Sequence, residues 1–168
     1  MSRIFVFLIL LISFVYAENI VALLKRVENN AALHMSYKQQ AFLCQPYGIE
    51  TVDALLNRTD VNSSCKGYLE SFRLSYPKEK VFAVSTLHIQ QQYSVVAIEG
   101  KCLLNLSSGL SYSEVLIEKG YARLLPSYTF DDALIDYRFK RAVKRAKIEK
   151  AGIWSDINVR NCFLLPPK

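Results

Sequence analysis

The sequence is short of the residues that build most recognisable reactive centres. It holds two histidines, His34 and His88, one on each of two expected strands, and they give no metal or triad constellation. None of the four cysteines stands in a C-x-x-C pair or near a histidine, which argues against a zinc site and a redox-active dithiol. No internal repeat and no low-complexity tract is present, excluding solenoids and linker arrays. After residue 17 there is no apolar run approaching the roughly 20 residues that a bilayer-spanning helix needs.

What is present is a chain of 168 residues, 51% hydrophobic and 21% charged. That suffices for one well-packed domain and is short for two. Residues 1–17, MSRIFVFLILLISFVYA, carry an early Arg3, an apolar core from Ile4 to Phe14, and small Val15 and Ala17 around Tyr16. This is the pattern of a signal peptide cleaved after Ala17, and the run is short for an uncleaved anchor. Export then predicts that Cys44, Cys65, Cys102 and Cys162 form two disulfides. Three connectivities are possible. The preferred one joins Cys44 to Cys65 and Cys102 to Cys162, tying the tail to the domain.

The most informative stretch is residues 111–156. Ser111 followed by Glu114 is a capping box, and Gly120 suits a left-handed helix end, so a helix is expected from Tyr112 to Lys119. Thr129 with Asp132 predicts a second start. Ile135, Phe139, Ala142 and Ala146 recur at helical spacing, and Gly152 follows as a stop after about Lys150. Upstream, short apolar runs predict strands at residues 20–27, 31–37 and 40–45. Residues 51–64 read as a polar surface loop, and a helix follows from Cys65 to Tyr76, ended by Pro77. Lys80 to Ile89 alternates as a strand paired with residues 93–98, which resume at 102–106 after an interruption at Glu99-Gly100-Lys101.

A helix closing on E-K-G-Y-A, an aromatic link, a long basic helix and G-I-W-S-D follow in order. The succession resembles the C-terminal part of the staphylococcal (thermo)nuclease-like family. The resemblance implies an α+β fold, a five-stranded OB-type β-barrel plus three helices, over residues 18–157, with a tail at 158–168. It also implies calcium-dependent hydrolysis of nucleic-acid phosphodiesters. The matching positions are depleted for that chemistry. The family's aspartate-rich turn falls on Glu28, Asn29, Asn30 and Ala31, with the neutral Asn30 at the ligand position. The strand arginine falls on Phe42, the metal aspartate on Tyr47, and the general base on Glu50, the survivor of that set. With a one-residue slip, Lys101 after Gly100 stands for the second arginine and lacks its two-pronged phosphate contact, whereas an ungapped alignment puts Gly100 there and removes the cation. Glu50 and Lys101 are therefore the candidate catalytic remnants, and calcium is expected only if nuclease chemistry survives.

Binding features remain. Arg138, Arg141, Lys144 and Arg145 lead a crowded basic helix and are candidate nucleic-acid contacts in a chain of net charge +6. The alternative for the same helix is an ordinary solvated face. Tyr93, Tyr112, Tyr121, Tyr128 and Tyr137 read as packing residues, and Trp154 as a pin for the final turn. Sequons begin at Asn57, Asn62 and Asn105. Asn62, with Asp60 two residues before it, is the candidate glycosylation site. The reading is an exported, periplasmic or secreted bacterial domain, without catalysis, that binds a protein partner or scaffolds an envelope assembly. Its alternatives are a secreted nuclease with a displaced site built from Asp53, Arg58 and Asp60, and a non-catalytic nucleic-acid binder.

Overall fold

The computed structural model describes residues 19–98, 100–125 and 132–164. The segment read as a signal peptide, Tyr128, the cap assigned to Thr129, and Leu165 to Lys168 of the tail lie outside these residues. The chain forms β1 (Asn19–Asn29), β2 (Ala32–Tyr37), β3 (Gln40–Cys44) and β4 (Ile49–Thr51), then α1 (Val52–Asn57), α2 (Ser63–Ser75), α3 (Pro77–Lys80) and α4 (Phe82–Thr86). There follow β5 (Gln92–Ile98), β6 (Lys101–Asn105), α5 (Tyr112–Glu118), β7 (Ala122–Leu124), α6 (Ala133–Ile148), a 3-10 turn at Gly152–Trp154, and α7 (Ile157–Leu164).

Five strands make one antiparallel sheet in the order β3-β2-β1-β5-β6, and β4 pairs with β7 in a separate ladder. Lys38 and Gln39, both with positive φ (47° and 69°), form the tight turn between β2 and β3. That handedness matches the twist of the strands it joins. The long β1 breaks register with β2 between Leu24 and Arg26 and between Val27 and Asn29. Such irregularities bend a strand, letting β1 serve both β2 and β5. Ala22, Leu24, Leu33, Met35 and Val95 are fully buried on the inner face, where helices α2, α5, α6 and α7 contribute Leu69, Leu116, Phe139 and Phe163.

The α+β class and the antiparallel five-stranded sheet are as expected, and the finer expectation is corrected. The described residues contain seven α-helices rather than three, and a closed barrel is not shown. The ends of the sheet meet at one parallel bridge, Pro46 with Cys102. There the Tyr47 N–H donates to the Cys102 carbonyl and the Cys102 N–H to that of Gln45, each at 2.9 Å.

The expected strand at 80–89 is not formed, and Phe82–Thr86 within it is the helix α4. Its buried positions are Ala83 and Leu87, four apart, while Val81 and Val84 are exposed, so alternation was the wrong period. Strand β5 pairs instead with β1 and β6. Part of the expected loop at 51–64 is α1, capped by the Thr51 hydroxyl. Asp132, accepting from the N–H of Leu134 at 2.8 Å, caps α6. The end of α6 takes a left-handed residue directly after its cap, at Lys150 (φ 50°), and Gly152 two residues on is left-handed as well (φ 49°).

The disulfides join Cys44 to Cys102 and Cys65 to Cys162, correcting the preferred pairing. β3 and β6 are the two edges of the sheet, and the Pro46 to Cys102 bridge brings the β3 end against β6, while the tail helix α7 packs on α2, so the partners are set by tertiary contacts rather than by nearness in sequence.

Candidate functional site

Strand β4 separates the two candidate catalytic residues, Glu50 and Lys101. Ile49 and Thr51 line a small groove of about 90 Å³ together with Ala31, Gln45, Pro46, Ala54 and Lys101. Side chains alternate across a strand, and Glu50 between them is directed elsewhere. Its carboxylate accepts from Arg123 on β7 at 2.7 and 2.9 Å and from Arg58 at 2.8 Å. Arg58 also binds Asp60. Asp60 and Glu50 together hold the Arg58 guanidinium above its ordinary pKa. The groove at Lys101 thus carries a cation and, among the described residues, no carboxylate lines it, while Glu50 sits in a satisfied ion network. The structure does not bring Glu50 and Lys101 together.

Asn30, assigned to the ligand position, is fully buried with its side chain turned inward. Its amide nitrogen donates to the Glu79 carboxylate at 3.0 Å and to the Glu79 carbonyl at 2.7 Å. Its oxygen accepts from the Ala83 N–H at 2.9 Å and the Tyr112 hydroxyl at 3.3 Å. The Asn30 N–H donates to Asp53 at 3.0 Å, and Arg73 bridges Asp53 to Glu79. Burial pushes the Glu79 pKa up against the opposing pull of Arg73 and Asn30. Burial, with Glu79 nearby, also raises Tyr112. Tyr47 at the aspartate position is buried and Phe42 packs against the core. These residues do not fit calcium: the donor set is an interior brace, and no cluster of three or more His, Cys, Asp or Glu suited to a metal occurs among the described residues.

The basic helix divides. Arg138 forks onto Glu114 at 2.7 Å and donates to the Gly109 carbonyl, fastening α6 to α5. Arg145 is engaged by Glu118 and Glu149. Arg141 and Lys144 are exposed on the outer face. Tyr137, expected to pack, is 61% exposed, whereas Tyr93, Tyr112 and Tyr121 are buried. On another side of α6, a groove of about 440 Å³ is lined by Arg123, Lys140, Lys147, Trp154, Arg160 and Phe163 among others. The Lys147 ammonium lies 4.8 Å from the Trp154 ring centre. Asn62 is exposed and caps α2 through its side-chain oxygen, which accepts from the Cys65 N–H at 2.8 Å.

Sequence reasoning missed Arg123, Arg73 and Glu79. A lone arginine in the apolar run Ala122–Leu125 signals a buried partner, and Arg123 is 6% exposed. Arg73 and Glu79 flank Pro77, a local cue that was read only as a helix end. Among models of known families and among curated proteins, no match to the chain is found.

Proposed function

We propose that the chain is an exported binding or scaffold module that uses a nuclease-like OB-type fold without its catalysis, held in a periplasmic or secreted assembly by a protein partner. The observation that carries this reading is the placement of Glu50. A general base needs an open path to the proton it removes. A phosphodiester also needs a cation at the developing charge. Glu50 is saturated by Arg58 and Arg123, and Lys101 faces a separate groove. Export is supported by the signal-like N-terminus and the two disulfides. The Pro46 to Cys102 bridge supports the OB-type reading, since it brings the ends of the sheet into contact.

One observation favours a second reading. Glu50, Arg58, Asp60 and Arg123 converge, which gives a displaced hydrolytic site two carboxylates and two guanidinium groups. Incubating the oxidised protein with single- and double-stranded DNA and RNA, first with calcium and then with chelator, separates the two. No cleavage is expected from either the parent or Glu50→Ala. Calcium-dependent cleavage that disappears in Glu50→Ala would overturn the scaffold reading and assign the activity to this cluster.

A further inference from the structure

The outer face of α6 combines two features that seldom share a solvated helix. Leu134, Tyr137, Arg141, Lys144 and Ile148 succeed one another at spacings of three, four, three and four, which puts them on one stripe of the helix. Leu134 and Tyr137 are each 61% exposed and Ile148 is 72% exposed, so large apolar groups stand at both ends of the stripe. Arg141 and Lys144 lie between them, with Lys140 beside the stripe. The acids of this helix and its end lie off the stripe, Asp136 bonded to Lys140 and Glu149 to Arg145. The inner side of the same helix is already used, by Phe139, Ala142 and Ala146 in the core and by Arg138 on Glu114.

We propose that this face docks in the plane of an anionic lipid surface. Helices lie in the headgroup region when aliphatic and aromatic side chains can enter the acyl boundary while cations remain among the lipid phosphates. Leu134, Tyr137 and Ile148 supply the first set, and Arg141 and Lys144 the second. A nucleic acid would use the cations and leave Leu134 and Ile148 in water. Arg138 and Arg145, which such a ligand would need, are held by Glu114 and Glu118. The proposal concerns a surface separate from Glu50 and does not rest on loss of catalysis.

The test is co-sedimentation of the purified, disulfide-bonded protein with vesicles of phosphatidylcholine alone and of phosphatidylcholine mixed with phosphatidylglycerol, at low and high salt. Partitioning is expected to be at least about tenfold stronger on the anionic vesicles and weaker in high salt. The triple variant Leu134→Ser, Tyr137→Ser, Ile148→Ser and the double variant Arg141→Glu, Lys144→Glu are each expected to lose about tenfold. Because these side chains are exposed, both variants are expected to keep the parent unfolding midpoint. Equal binding to both vesicle types would overturn the proposal. So would binding lost in the charge variant and retained in the apolar one, since that is attraction to any polyanion. Single-stranded DNA run in parallel by fluorescence anisotropy supplies the other outcome: binding to DNA without binding to vesicles would assign the face to nucleic acid.

Discussion

Asn30 shows how one residue can look like a worn catalytic position and serve as an interior brace. Its amide satisfies the Ala83 N–H and the Glu79 carboxylate in a site closed to water. Removing a partner from buried polar groups costs their full desolvation. Asn30→Ala is therefore expected to lose about 3 kcal/mol in urea unfolding. Asn30→Asp, which places a carboxylate at this buried position, is expected to destabilise the fold by setting a second acid against Glu79 and to show no calcium binding by calorimetry. Glu79 carries a pH dependence whose sign follows from its raised pKa. Above its folded pKa the carboxylate is charged in both states, and the native state bears the cost of burying it. As pH falls toward the ordinary value of 4.5, the native state takes up the proton first and that cost is relieved. Glu79→Gln is thus expected to be more stable than the parent at pH 7, the gap closing as pH falls through the folded pKa toward 4.5. Urea titrations of both proteins across that range check it, and a gap independent of pH would refute it.

Among the elements, α5 was the most legible because its signals are local. Ser111 accepts from the Glu114 N–H at 3.2 Å, and the Glu114 carboxylate accepts from the Ser111 N–H at 2.7 Å, as the sequence spacing implies. Gly120 ends the helix with φ 68°. Its second role was not legible: an added Cβ would lie 2.1 Å from the Ala151 carbonyl oxygen, so this glycine also lets the end of α6 approach α5. Gly120→Ala combines left-handed strain with a backbone clash, and a loss of about 3 kcal/mol or more is expected in thermal and urea unfolding. The strand expected at residues 80–89 failed for the opposite reason, since its pattern is decided by distant partners. Glu79 and Ala83 are fixed by Asn30, some fifty residues earlier, and β-branched Val81 and Val84 face solvent. Local propensity yields to such tertiary contacts. The site was only partly legible too: Glu50 and Lys101 are identifiable as residue types, but the strand alternation that turns one away from the other depends on β4 pairing with β7.

At the scale of the molecule, the disulfides record the topology. Cys44–Cys102 ties the end of β3 to β6, with a sequence separation of 58, and Cys65–Cys162 fastens α7 to α2, with a separation of 97. Loops of this length restrict the unfolded chain strongly, and each bond is expected to contribute about 4 kcal/mol. The two differ in what they release. Val159, Cys162 and Phe163 are buried, so α7 completes the core rather than trailing from it. Opening Cys65–Cys162 frees the last helix from α2, whereas opening Cys44–Cys102 loosens the contact between the ends of the sheet. Paired Cys65→Ala and Cys162→Ala substitutions are therefore expected to give early tryptic cleavage at Arg160 with sheet protection retained. Paired Cys44→Ala and Cys102→Ala substitutions are expected to speed amide exchange in β3 and β6 before α7 is cut. Non-reduced peptide mapping of the parent comes first. Recovery of Cys44 linked to Cys65 would remove the basis for both expectations, because the contact of the β3 end with β6 at the Pro46 to Cys102 bridge would then lack its covalent tie.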